Sequence, residues 1–338
     1  MLVLRTSGGP VPRSTRGPKE VRKCSSFAPP EAPVPRSTNG SGAVRMPMTT
    51  ARDLWIQNFH PAPLAPCRLV CFPHAGGSAS FYHPISRSLA PAVEVLAVQY
   101  PGRQFRRAEK CIEDIGEMAD RICDSLARHA DRPMALFGHS MGAVLAFEVA
   151  LRLERATPDT VIHVFASARS APSVHGGEAI HERDDEALLA HLRQLGGTQL
   201  KLLGDTELLP LILPALRSDY RAVDRYRHRA GERLRCAVTA LTGDADPAVS
   251  VDAARGWRDH TQGSFDLCVL PGGHFYLDSQ SAAVVEVILG KLRGLPASEF
   301  QHAAGPRAAV DIPTPRTRRP GDSPGRGPGD RAAAGDRP

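Results

Sequence analysis

The chain has 338 residues, 42% of them hydrophobic, which is enough for a sizeable core, and its formal net charge is +6. The ends carry that charge: residues 1–50 have a net +6 and residues 297–338 a net +2, which leaves −2 for the residues between them. A nucleic-acid-binding surface needs basic residues clustered in the folded part, so we expect no nucleic-acid partner.

The two ends have the composition of disordered segments. Residues 1–50 and 297–338 together hold 15 of the 30 prolines and few large apolar residues, too few to offset the entropy lost on ordering. The first segment lacks the apolar stretch of a secretory signal, and no window resembles a membrane helix, so we expect no membrane partner. We predict one folded domain at residues 51–296 and hypothesise that translation starts at Met46 or Met48.

The cysteines indicate a reducing compartment. Seven is an odd number, no secretory signal precedes them, and a disulfide framework is improbable in a chain this long. We expect buried reduced thiols that act as small apolar side chains, in a cytoplasmic protein. No Cys/His spacing resembles a zinc site. The cysteines stand at positions 24, 67, 71, 111, 123, 236 and 268.

Short apolar runs alternate with amphipathic stretches from residue 68 onward. Strands that alternate with helices predict an α/β fold with a mostly parallel central sheet flanked by helices. We predict strands at residues 68–72, 93–98, 134–137, 161–166, 234–241 and 265–270. We predict helices at residues 81–89, 111–129, 141–154, 251–257 and 281–292.

Residues 178–228 interrupt this alternation. They contain helical stretches at 184–195, 207–216 and 218–226 and no strand. A helical insert between strands of such a sheet can form a lid over a substrate pocket. A plain structural insert gives the same periodicity, so the pattern leaves both interpretations open.

The strongest chemical signal is the sequence GHSMG at residues 138–142. It stands between an apolar strand and an apolar helix, which is the strand–turn–helix context of a nucleophile elbow in the α/β-hydrolase fold. The glycines let the backbone crowd at the turn and expose the Ser140 hydroxyl at the head of the helix. We predict Ser140 as the nucleophile.

A serine hydroxyl needs a base, and the base needs an acid that orients it. In this fold the acid and then the histidine follow the serine along the chain. His274 lies in a glycine loop after the last predicted strand and is our base. Asp244 and Asp246 both follow the strand before it, and the residues alone do not separate them. The two oxyanion N–H groups should come from Met141 and from the loop at residues 74–77.

Six ordered blocks resemble type II thioesterases, the enzymes that serve polyketide synthases and non-ribosomal peptide synthetases. The resemblance covers about residues 53–293, and alanine is more usual in the family where Ser218 stands. The blocks are CFPHAGGSA at 71–79, YPGR at 100–103 with RRAE at 106–109, GHSMG at 138–142, LRSDY at 216–220, GDADP at 243–247 and GGHFYL at 272–277.

The resemblance implies a catalytic triad of Ser140, Asp246 and His274, with Ala75 and Met141 as the oxyanion N–H donors. It implies a substrate in which the acyl group sits on the phosphopantetheine arm of an acyl or peptidyl carrier protein. The role implied is hydrolytic editing of stalled or aberrant acyl units by a monomer. No metal or redox cofactor is expected, since the substrate itself brings the phosphopantetheine.

Two other functions remain compatible with the same residues. A general serine esterase or lipase acting on oxygen esters uses the same triad, and a non-catalytic binding module can keep the pocket of this fold. The arginines at 103, 106 and 107 also allow two interpretations, namely contact with an acidic carrier protein, or a solvated or fold-internal role.

Overall fold

The computed structural model describes residues 53–174, 179–196 and 209–293. The predicted disorder of the two ends lies outside these residues, as do parts of the 178–228 insert. The described strands form one sheet in the order β1-β3-β2-β4-β5-β6-β7. They are β1 Ile56–Gln57, β2 Arg68–Phe72, β3 Glu94–Val98, β4 Met134–His139, β5 Val161–Ser167, β6 Ala237–Gly243 and β7 Phe265–Leu270.

All strand pairs are parallel except β1 with β3, which confirms the predicted mostly parallel α/β-hydrolase fold. The sequence analysis missed β1, because two residues are too short to show an alternating pattern. The described helices are α1 His83–Leu89, α2 Ile115–Leu126, α3 Met141–Ala156, α4 Asp185–Leu195, α5 Leu209–Arg225, α6 Val251–Arg255 and α7 Leu277–Arg293.

The sheet separates two hydrophobic cores, because successive side chains of a strand point to opposite faces. In β2, Val70 and Phe72 join the core that holds α2 and α3, while Leu69 and Cys71 join the core of α1 and α7. Strands β2 to β5 are therefore buried at every position. Such strands read as continuous apolar runs, which is why the sequence predicted them well.

Some predicted boundaries differ from the structure. The helix predicted at 111–129 begins only at Ile115, because the Asp114 carboxylate caps it by accepting the Glu117 N–H at 2.8 Å. The strand predicted at 234–241 begins at Ala237, and Leu234 forms an isolated bridge with Thr261 instead.

The two helices predicted at 207–216 and 218–226 form one continuous helix, α5, in the described residues. Buried residues recur along one face at helical spacing through the expected break, which holds the helix together. Those residues are Ala215, Leu216, Ser218, Asp219 and Ala222.

Six of the seven cysteines lie in the described residues, and all six are free thiols. Cys67 and Cys71 are buried as predicted, and the other four are partly buried. Burial raises the pKa of Cys67 to about 11 and that of Cys123 to about 12, so these thiols stay protonated at neutral pH.

None of the helices in the described residues is both long enough and apolar enough to span a bilayer. No group of three or more His, Cys, Asp or Glu side chains in the same residues is placed to hold a metal ion.

Candidate active site

Ser140 occupies the sharp turn between β4 and α3. Its φ is 55°, a left-handed conformation that is costly for a residue with a side chain and that marks functional sites. The Ser140 N–H donates to the Ser167 carbonyl on β5 at 2.8 Å, which fixes the turn against the sheet. The serine is partly exposed while the next residue, Met141, is buried at the first position of α3.

Close backbone contacts explain why glycine stands on either side of this turn, at positions 138 and 142. A Cβ at Gly138 would lie 2.0 Å from the Gly142 carbonyl oxygen, and a Cβ at Gly142 would lie 2.0 Å from that of Phe72. Both contacts are with backbone, which cannot rotate away. The G-x-S-x-G pattern is therefore dictated by the close approach of β4, α3 and the end of β2.

His274 and Asp246 lie in contact with each other. The His274 Nδ1 is 3.0 Å from Asp246 Oδ2 and 3.2 Å from Oδ1, and the two side chains are only 4% and 0% exposed. Asp246 Oδ1 also accepts the N–H groups of Ala248 and Val249, which holds the carboxylate in place. A proton on Nδ1 that is donated to this carboxylate leaves Nε2 as the basic nitrogen.

Asp244, the competing acid, has a different position. Its carboxylate accepts the Gly272 N–H at 2.8 Å, and its own N–H donates to the Leu270 carbonyl at 2.9 Å. Asp244 thus braces the loop that carries His274, and Asp246 is the acid that touches the imidazole.

Ser140 and His274 line one cavity of about 640 Å³. Its walls come from the loop after β5 and from the helical insert, which contributes His191 of α4 and Tyr220 of α5 among others. The geometry favours the pocket-cap interpretation of this insert over a plain structural one.

A second histidine lies close to the site but is not suited to act as its base. His139 is fully buried, and its Nδ1 is 2.8 Å from the Ser167 Oγ. Burial, together with the neighbouring His274, holds the pKa of His139 well below its usual range, so its ring stays neutral.

The predicted oxyanion donors lie on two different elements. Within the described residues, no backbone carbonyl or side chain accepts the N–H of Ala75 or that of Met141. The next residue in the first loop, Gly76, has a φ of +73° and donates its N–H to Asp219 Oδ2 at 2.8 Å. The loop is thereby attached to α5, the helix that also forms the cavity wall.

A buried ion pair completes this attachment. Arg103 Nη1 and Nη2 lie 2.6 and 2.8 Å from the two oxygens of Asp219, and Nη1 also donates to the Gly77 carbonyl at 3.1 Å. Asp219 is 0% exposed and Arg103 8%. Burial alone would lower the pKa of Arg103, but the Asp219 carboxylate outweighs it and raises that pKa. We call Arg103, Asp219, Gly76 and Gly77 the oxyanion-loop clamp.

The sequence analysis did not predict this clamp, although it had singled out all three blocks that supply it. The structure decides between the two interpretations for Arg103 and Arg106 but not for Arg107. Arg103 and Arg106 lie inside the fold, with Arg106 bonded to Glu109 and to the Gln99 carbonyl, whereas Arg107 is exposed.

We expect Asp219→Asn to lower kcat by roughly 10- to 100-fold and to change KM much less, because a displaced oxyanion loop weakens transition-state binding. Steady-state hydrolysis measures both constants. A thermal melt is recorded alongside, since leaving Arg103 buried without its partner costs about 3–5 kcal/mol. Glu109→Gln is the matched control, because it removes a carboxylate from Arg106 away from the loop. A folded Asp219→Asn variant with kcat within twofold of wild type would contradict the role of the clamp.

Comparisons with known proteins agree on one family. The thioesterase-domain family model matches residues 67–292. A "Probable cadicidin biosynthesis thioesterase" of Streptomyces griseus is 51% identical over 243 residues, which cover 70% of this chain and 66%, just under two thirds, of that protein. "Thioesterase PikA5" of Streptomyces venezuelae is 47% identical, over 69% of this chain and 84% of that protein. The solved structure of "the type II thioesterase BorB from the borrelidin biosynthetic cluster" is 50% identical, with a TM-score of 0.66, and the match covers 72% of this chain and 100% of that one.

Proposed function

Because this chain belongs to the thioesterase family, we propose that it is a type II thioesterase that hydrolyses acyl thioesters on the phosphopantetheine arm of carrier proteins. Its role is editing, that is, removal of stalled or aberrant acyl units during polyketide or non-ribosomal peptide biosynthesis. The observation that carries the proposal is that His274, which contacts Asp246, lines one cavity with Ser140 under a helical cap.

The proposed reaction has two steps. His274 Nε2 takes the proton of Ser140 as its Oγ attacks the thioester carbonyl, and the N–H groups of Ala75 and Met141 bind the oxyanion. The C–S bond breaks, and the pantetheine sulfur leaves with the proton from His274. Water, activated by the same imidazole, then hydrolyses the acyl-serine to the free acid and restores Ser140. Asp246 keeps the imidazole oriented throughout.

The partners follow from this substrate. We propose an acyl or peptidyl carrier protein as the macromolecular partner and phosphopantetheine as a group that arrives with it, with no cofactor held by the enzyme. We also propose a monomer in the cytoplasm. The six free thiols of the described residues fit a reducing compartment.

The proposal predicts strong preference for the carrier-bound thioester over a simple oxygen ester of the same acid. We expect kcat/KM for propionyl-loaded carrier protein to exceed that for methyl propionate by at least roughly 100-fold, because remote binding to the arm contributes to the transition state. Release of free propionate measures both reactions. Equal or faster turnover of the oxygen ester would assign the chain to general esterases. No turnover of either, with no labelling of Ser140 by a fluorophosphonate, would indicate a binding module.

A further inference from the structure

Arg169 lies in the wall of the cavity that contains Ser140 and His274. It follows β5 on a rigid stretch of backbone. The Ala168 N–H donates to the Leu241 carbonyl at 2.8 Å, and the Arg169 carbonyl accepts Trp257 Nε1 at 2.8 Å. Trp257 is fully buried, so the backbone of Arg169 has a fixed position beside the site.

The guanidinium of Arg169 has no partner in the described part of the chain. Arg169 is only partly exposed, yet its guanidinium forms no hydrogen bond and no ion pair with any described residue. Other arginines with little exposure are paired, as Arg68 with Glu94, Arg103 with Asp219, and Arg152 with Glu148. An unpaired guanidinium in the wall of an active-site cavity is free to bind a polar group of a ligand.

The acid that acts on the Arg169 guanidinium, Asp224, is bonded to another side chain. Burial lowers the pKa of Arg169, and Asp224 of α5 partly opposes this effect. However, the Asp224 carboxylate is bonded to His181 Nδ1 at 2.6 Å and not to Arg169. Among the described residues no acceptor takes the donors of Arg169, while the negative charge of Asp224 acts on the same guanidinium and opposes a second anion.

These features define the chemistry of the ligand. A guanidinium only donates hydrogen bonds, so it requires an acceptor oxygen. Since Asp224 already balances part of the charge, a neutral carbonyl oxygen is favoured over a carboxylate. A thioester substrate brings such oxygens into the cavity either on its acyl chain or on its pantetheine arm.

We propose that Arg169 binds a carbonyl oxygen of the acyl chain beyond the scissile one and thereby selects oxo-substituted acyl groups, exemplified by the 3-oxobutyryl group, over saturated acyl groups of the same length. The proposal rests on the thioesterase function proposed above. It adds a specificity-determining residue that belongs neither to the triad nor to the oxyanion-loop clamp, and it assigns the substrate class as acyl thioesters oxygenated beyond the scissile carbonyl.

The test compares wild type with Arg169→Met, which keeps the length of the side chain and removes its donors. Four substrates are used: butyryl and 3-oxobutyryl groups, each on the carrier protein and each on N-acetylcysteamine, which has no phosphate. We expect the variant to lose about 10- to 100-fold in kcat/KM for 3-oxobutyryl on both thiols, the range for a hydrogen bond to a charged group. For butyryl we expect a change within about twofold.

Two controls separate specificity from folding. Arg225→Met removes another, exposed arginine that faces the same cavity, and the ratio between the two acyl groups should stay at its wild-type value. Arg169→Gln places a neutral NH2 donor group on the side chain and should restore part of the preference for 3-oxobutyryl. Thermal melts of each variant verify the fold.

The remaining outcomes would overturn the inference. A loss for both acyl groups on the carrier but not on N-acetylcysteamine would assign Arg169 to the phosphopantetheine arm. An equal loss on all four substrates would assign Arg169 to a structural role or to the cysteamine amide carbonyl that all four share, and either assignment would contradict selection of the acyl chain. No loss on any substrate would remove its role altogether. Failure of wild type to hydrolyse any of the thioesters is a separate result, and it would refute the proposed function itself.

Discussion

Replacing Ser140 with alanine is expected to lower kcat on the order of 10⁶-fold, the loss that follows removal of the nucleophile in a serine protease. The hydroxyl is the only group of this side chain that can form the acyl-enzyme, whereas the fold does not depend on it. Alanine keeps the Cβ that the turn already accommodates at φ 55°. We therefore expect an unchanged melting temperature, and the rate of acid release from an acyl-loaded carrier protein measures the effect.

Ser170 offers a matched control for this substitution. It lines the same cavity as Ser140 but lies on the loop after β5 and not at the elbow. We expect Ser170→Ala to keep kcat within a few-fold of wild type. If Ser140→Ala retained wild-type turnover, or if Ser170→Ala abolished it, Ser140 would not be the nucleophile.

The second large effect is expected for Asp246→Asn, which should lower kcat by about 10⁴-fold. An asparagine amide can donate to His274 Nδ1, which favours the tautomer with its proton on Nε2, where it cannot take the proton of Ser140. The amide oxygen can still accept the N–H groups of Ala248 and Val249, so we expect the loop to hold. The steady-state rate on the carrier substrate gives the size of the loss.

Asp244→Asn is the control for this acid, because Asp244 accepts the Gly272 N–H and does not touch His274. Its amide oxygen can make the same hydrogen bond, so kcat should fall by no more than a few-fold. The reverse pattern, with Asp244→Asn severe and Asp246→Asn mild, would transfer the role of the acid to Asp244.

Local sequence signals were enough to predict the fold and to choose Ser140 and His274 as candidate catalytic residues. Strands buried on both faces give continuous apolar runs, and the GHSMG turn follows one of them directly. The choice of Asp246 over Asp244 came from the family resemblance alone, because both lie on the same loop. The thioesterase-family match has since confirmed that resemblance, while the roles of the triad residues stay predictions.

Contacts between distant segments could not be predicted in this way. Arg103 and Asp219 are 116 residues apart, and the sequence around either residue does not indicate that they pair. The sequence did not indicate a role for Arg169, because only the folded structure shows that its guanidinium is unpaired among the described residues. The sequence predicted two helices where the structure has the single helix α5. The contacts of the buried face of α5 keep the helix continuous through residue 217, and these contacts could not be predicted from the local sequence.

The most direct test of the central claim is to trap the acyl-enzyme. Enzyme mixed with propionyl-loaded carrier protein is quenched with acid within one turnover, and its peptides are mapped by mass spectrometry. The account predicts a propionyl group on the peptide that contains Ser140, and none in the Ser140→Ala variant. Release of propionate by wild type without an acyl group on that serine at any quench time, or with the group on another residue, would contradict it.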